Sequence, residues 1–207
     1  MDRREFLRAG GAGVAGLVLV GCAEQRGAGD AAPAADAAGP PADASPCPRT
    51  EDNIEGPFYT PGAPPDADLV EPGEPGVRLH LSGRVYGNAT CGPLPGAIVD
   101  VWHCDDAGAY DEVGYAHRGV LVCGDDGRYT LETIIPGHYL NGAVYRPAHI
   151  HVKVGATGHQ LLTTQLYFEG DPYNEGDPYI RDSLIMPLVT EDDGSRTAVF
   201  DFVLLPS

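Results

Sequence analysis

Two histidines and a scatter of tyrosines are the residues of this chain whose types and spacing point to chemistry. His149 and His151 form a His-x-His pair in the alternating stretch 148–154. In a strand, positions i and i+2 share a face, so both imidazoles point the same way and can hold one metal ion. The pattern alone leaves open a pair of hydrogen-bonded surface histidines, and zinc or copper would also accept two imidazoles. Tyr110 falls in the loop after the second predicted strand, 97–103, and Tyr139 in the segment leaving the fourth, 128–135, both before the pair. A phenolate is a hard anionic donor suited to a hard trivalent cation, which in turn stabilises the phenolate against its ordinary pKa near 10. With ten tyrosines in the chain, that fact by itself selects none of them, and Tyr115 competes with Tyr110.

The elements that must position these residues read as strands. Stretches 77–86, 97–103, 118–122, 128–135, 148–154, 161–168 and 197–205 alternate or are rich in β-branched residues, with Gly- and Pro-rich turns between them. Residues 124–127, Gly-Asp-Asp-Gly, read as a hairpin turn. No amphipathic helix of useful length is present. Gly 28 and Pro 19 agree with many turns and short strands. The expected fold is all-β, an antiparallel β-sandwich.

A formal net charge of -17 argues against a nucleic-acid partner, because a polyanion would be repelled. Arg3-Arg4 precedes a Gly/Ala-rich apolar run ending in Leu19-Val20-Gly21-Cys22. This reads as a twin-arginine lipoprotein signal over residues 1–22, with Cys22 as the acylated lipid anchor. The run is shorter than the ~20 residues a spanning helix takes. Residues 23–46, rich in Ala, Gly, Pro and Asp, read as a disordered tether, and residues 47–207 as the folded domain. Cys47, Cys91, Cys104 and Cys123 suggest two disulfides in an exported protein. If strands 97–103 and 118–122 run antiparallel, Cys91 and Cys123 lie at one end and Cys104 at the other. The expected pairing is therefore Cys91–Cys123 and Cys47–Cys104.

Five stretches in order carry a resemblance: Ile54-Glu55-Gly56-Pro57-Phe58-Tyr59, Pro95-Gly96-Ala97 through Val101-Trp102-His103 to Gly108-Ala109-Tyr110, Ile135-Pro136-Gly137-His138-Tyr139, Arg146-Pro147-Ala148-His149-Ile150-His151, and Thr163-Thr164-Gln165-Leu166-Tyr167. Together they resemble the intradiol ring-cleavage dioxygenases, of the secreted single-domain type, from about Cys47 onward. The resemblance implies a sandwich of the intradiol (transthyretin-like) type and one non-haem Fe(III) per chain, held by Tyr110, Tyr139, His149 and His151. The substrates it implies are a catechol-type diol and O2, and the product a cis,cis-muconate-type diacid. It implies that Tyr139 leaves the metal and takes a substrate proton, that Arg146 stands beside the bound ring, and that Gln165 hydrogen-bonds near an iron-bound hydroxide. Ile54, Pro57 and Phe58 are implied as pocket wall. Trp102 reads first as core packing, with a place under the site as the alternative. His103, His117, His138 and His159 are not expected as ligands. The catechol 1,2-dioxygenases have an N-terminal helical region that this chain lacks, so their dimer surface does not carry over. A non-catalytic transthyretin-like surface binding module shares the turn at Asp125 and the Pro136-Gly137 motif, but has no need of four ligands.

Overall fold

The computed structural model describes residues 46–207. The signal and its Cys22, and all of the tether before Pro46, lie outside the described residues.

Twelve strands follow in order: β1 (Arg78–Gly87), β2 (Ile98–Trp102), β3 (Arg118–Val122), β4 (Arg128–Ile134), β5 (Tyr139–Asn141), β6 (Val144–Arg146), β7 (His149–Gly155), β8 (Leu162–Phe168), β9 (Ile185–Met186), β10 (Val189–Thr190), β11 (Arg196–Val199) and β12 (Phe202–Leu204). They form two five-stranded sheets and a separate ribbon. One sheet has the order β3-β2-β7-β8-β9; in the other, β1 pairs with β4, β11 and β12, and β10 joins through β11; β5 and β6 pair only with each other. The pairings of β2 with β3 and β7, and of β7 with β8, are antiparallel. The pairings of β1 with β11 and β12, and of β8 with β9, are parallel.

Alternation in the strands places the core between the sheets. Leu79, Leu81 and Val85 of β1 and Tyr129 and Leu131 of β4 meet Val99, Val101, Ile150, Val152, Val154 and Leu166 from the other sheet. Burying one such aliphatic side chain contributes roughly 1.5–3 kcal/mol.

Two sequence expectations change here. The turn 124–127 closes tightly, with Gly124 N–H donating to Arg128 O at 3.0 Å. Yet β3 and β4 enter different sheets, so the turn carries the chain between layers and is no hairpin within one sheet. The stretch 197–205 is two strands, each pairing with a different part of β1 and separated at Phe200 and Asp201.

The cysteine pairing is also corrected: Cys47 bonds Cys91, and Cys104 and Cys123 are buried thiols. Cys47 N–H donates to Asn88 O at 3.1 Å, which brings the chain's entry point to the turn holding Cys91. Cys123 faces the core, and the Cys104 thiol donates to Gly137 O at 3.3 Å. Strand direction located the cysteines along the sheet but says nothing of where the segment before β1 lies.

Candidate active site

The outer face of the β2–β7–β8 sheet carries the site. In the ladder, Trp102 lies opposite both Arg118 and His151, His151 opposite Gln165, and His149 opposite Tyr167. This row faces away from the core but is buried, because the segment before β1 is strapped across it. Thr164 Oγ donates to Glu51 O at 2.9 Å, Gln165 Nε2 to Ile54 O at 2.8 Å, and Tyr59 Oη to Asp100 at 2.8 Å. Lys153 pairs with Glu55 at 2.6 Å. Gly56 takes φ +73, and a Cβ there would lie 3.2 Å from the His151 ring. The strap can therefore approach the imidazole this closely only through a glycine.

Tyr110, Tyr139, His149 and His151 are brought together from three parts of the fold. Their ring centroids form a closed circuit: Tyr110 to Tyr139 5.7 Å, Tyr139 to His149 5.6 Å, His149 to His151 4.8 Å, and His151 to Tyr110 6.2 Å. Backbone contacts fix the first two. Gly137 N–H donates to Asp105 O at 2.9 Å, tying the segment before Tyr139 to the loop that carries Tyr110.

The donors suit a hard cation. His149 Nδ1 lies 2.7 Å from Pro147 O. A carbonyl accepts only, so Nδ1 carries the proton and Nε2 keeps its lone pair. That Nε2 lies 3.5 Å from Tyr139 Oη. Burial, reinforced by Arg146, holds His149 down to about 3, and burial holds His151 well below its ordinary value. Both imidazoles are thus neutral. Tyr110 Oη is buried without a hydrogen bond of ordinary geometry, although the Tyr139 phenol lies beside it. Burial pushes both phenols up, so neither ionises unless a cation is supplied. Among the described residues no three His, Cys, Asp or Glu side chains gather as a metal site. A metal held here draws on the phenols, and two phenolates with two neutral imidazoles match a trivalent ion better than zinc or copper(I).

Arg146 is buried and held on every side. Its Nε donates to Asp177, its Nη2 donates to Gln165 Oε1 at 2.8 Å, and Tyr179 lies 4.8 Å below the guanidinium. Gln165 Oε1 also accepts from Tyr167 Oη at 3.0 Å. Phe58 stacks on Tyr110 at 4.2 Å and meets Tyr139 edge-on at 6.1 Å. Ile54 reaches the site through its carbonyl, its side chain being exposed, and Pro57 is exposed. Trp102 lies under His151.

Tyr115 lies outside the circuit, exposed, with its hydroxyl donating to Pro61 O at 3.2 Å. The other five histidines have separate partners: His80 with Glu132, His103 with Cys104 O and Thr133, His117 with Glu74, His138 with Asp171, and His159 with Thr157 O. Asp171, Asp177 and Tyr179 were not singled out from sequence. The only mark they leave there is a repeated Asp-Pro-Tyr, which reads as turns.

The structure is thus a β-sandwich in which two buried imidazoles on a sheet face and two half-buried tyrosines from outside the sheet surround one point. Residues 54–206 match the Dioxygenase family (Dioxygenase_C). The chain is 34% identical over 182 residues to the chlorocatechol 1,2-dioxygenase of Rhodococcus opacus, covering 74% of this chain and 70% of that protein. It is 35% identical over 153 residues to the catechol 1,2-dioxygenase of Pseudomonas sp. (strain EST1001), covering 63% of this chain and 49% of that protein, so it spans about half that protein's length. Among solved structures it is similar to the dioxygenase domain of a dioxygenase carbohydrate-binding protein fusion from the cellulolytic bacterium Streptomyces sp. SirexAA-E. The TM-score is 0.72 at 44% identity, over 77% of this chain and 100% of that one. The chain belongs to the intradiol ring-cleavage dioxygenases, a family of oxidoreductases. That membership sets aside the non-catalytic binding module.

Proposed function

We propose that the chain is a non-haem iron(III) dioxygenase that opens catechol-type rings between the two hydroxyl-bearing carbons. Both atoms of O2 enter a cis,cis-muconate-type diacid. The closed circuit of Tyr110, Tyr139, His149 and His151 carries this reading. These four would hold one iron(III) per chain, and two phenolates plus one hydroxide would balance its charge, allowing burial. When bound, the ion supplies Lewis acidity that makes the ring of a chelated diol open to attack by O2.

The chain's own residues do the rest. With a cation bound, Tyr139 would be a phenolate, and its Oη would take up one substrate hydroxyl proton to become the neutral phenol. Arg146, locked between Asp177, Gln165 and Tyr179, stands beside the ring and stabilises negative charge developing on carbon. Gln165, with Oε1 and Nε2 both engaged, holds the Arg146 fork and the strap together. Phe58, stacked on Tyr110, walls the site against water.

The test is the visible spectrum and product analysis of the purified protein. Bound iron(III) should give a tyrosinate charge-transfer band that shifts when catechol is added without O2. Oxygenation should then yield the diacid. A protein that stays colourless after iron reconstitution, or a ring opened outside the diol, overturns the reading.

We also propose that the enzyme is exported by the twin-arginine route and held to the membrane by acylated Cys22. Arg3-Arg4, the apolar run and the position of Cys22 support this, as does the Cys47–Cys91 disulfide, which persists in an oxidising compartment. Labelling with a radioactive fatty acid should mark the wild type and leave Cys22→Ser unmarked.

A further inference from the structure

The Tyr139-bearing ribbon belongs to neither large sheet: β5 pairs only with β6, while β7, which begins at His149, pairs with β2 and β8. No ladder therefore sets Tyr139 against His149, although their side chains meet at 3.5 Å. One carboxylate spans the gap. Asp171, in the loop just after β8, accepts with the same Oδ2 from His138 Nε2 at 2.8 Å and from Ala148 N–H at 3.0 Å. His138 precedes Tyr139, and Ala148 precedes His149. The other oxygen, Oδ1, accepts from Tyr173 N–H at 2.9 Å, which fixes the carboxylate's own orientation.

The clasp is built into the fold at both ends. The Asp171 side chain is only 6% exposed. Its loop is pinned to the large sheet, with Glu169 N–H donating to Met186 O at 2.8 Å and Asp171 N–H to Phe168 O at 3.3 Å. On the ribbon side, Tyr173 meets the His138 ring edge-on at 4.7 Å and stacks on Tyr145 of β6 at 5.1 Å. Hydrogen bonds to a buried carboxylate are charge-assisted and shorter than neutral ones, so they hold a distance well.

We infer that Asp171 is a positioning residue of the site: its carboxylate sets the separation of Tyr139 from His149 and so decides whether Tyr139 can share an ion with the other three donors. The inference rests on the four-donor reading above. Residues that orient metal ligands typically change metal affinity about 10–100-fold when removed.

The test compares wild type, Asp171→Ala, His138→Ala and Tyr139→Phe by chelator competition for iron(III), by visible spectrum at iron saturation, and by thermal melting. In wild type the tyrosinate band is present. In D171A iron is held about tenfold or more weakly, and at saturation the band approaches that of Y139F, because one phenol no longer reaches the ion. H138A, which removes only the ribbon arm, shifts the band the same way, and it carries the test should D171A not fold. A merely structural role lowers the melting temperature and leaves the saturated band as in wild type; that result, with unchanged iron affinity, overturns the inference. A wild type that takes up no iron and no colour overturns the four-donor reading itself, and the clasp falls with it.

Discussion

Trp102 lies flat against His151, with ring centroids 4.8 Å apart and planes 9° apart. The indole therefore fixes the plane of an imidazole donor from below, while Gly56 limits it from above. Trp102→Ala should remove that floor. A fully buried aromatic cut to alanine costs about 3–5 kcal/mol, and the freed His151 should release iron more readily. Trp102→Phe, which keeps a flat ring, should retain most of both. Melting temperature and chelator competition check this, and equal losses in the two variants would argue against a stacking role.

Arg146 and Asp177 are a buried ion pair, 4% and 5% exposed. Removing one partner strands the other's charge, at about 3–5 kcal/mol. Arg146→Met should therefore destabilise the fold, and adding Asp177→Asn should recover much of the loss. Activity should not recover if, as proposed, the lost cation stood beside the substrate ring. Arg146→Lys should also lose activity, by about a hundredfold, since an ammonium cannot reproduce a fork held by Asp177 and Gln165. Kinetics beside denaturant melts separate the two effects.

Two buried groups give the pH profile of stability opposite slopes. Burial pushes the Asp100 carboxyl up to about 6, against the Tyr59 hydroxyl and the charges of Lys153 and Arg118, which pull it down. Its contribution is fully present below the unfolded pKa of about 3.9 and is lost as pH rises through 6. Asp100→Asn should match wild type near pH 4 and exceed it at pH 8. Burial, reinforced by His117, lowers His103 to about 3. Its contribution is present above the unfolded pKa of about 6.5 and is lost as pH falls toward 3. His103→Gln should flatten that acid limb. Melting temperatures across pH read both; a D100N profile parallel to wild type would refute the first.

The Cys47–Cys91 bond closes a sequence separation of 44. Chain entropy alone assigns such a loop about 4 kcal/mol. Because Cys47 anchors the strap that crosses the site, reduction or Cys47→Ser should lower both the melting temperature and iron retention. Cys123→Ser, a change at a buried thiol outside the disulfide, should leave the strap in place and iron retention unchanged.

Much of this protein was legible before its fold was seen, because the relevant physics is local. Alternation with a period of two identified the strands from β1 to β4 and β7 and β8, and it put His149 and His151 on one face with no knowledge of any neighbour. Tyr110 and Tyr139 were singled out among ten tyrosines only by the family resemblance of their motifs, not by local physics. Non-local relationships were not legible. That β1 takes two successive parallel partners follows from how the chain's end returns to it, and parallel pairing leaves no turn signature. The disulfide depended on where the strap before β1 lies, which strand direction does not encode. Asp171 and Asp177 sit among turn residues, where an aspartate is ordinary; only the tertiary structure carries the loop after β8 back onto Tyr139, His149 and Arg146 and turns those carboxylates into parts of the site. The sequence by itself determined that the imidazoles of His149 and His151 share one strand face. Their separation and their partners were decided by tertiary packing, because contacts between segments far apart in the chain exist only once the sheets have closed.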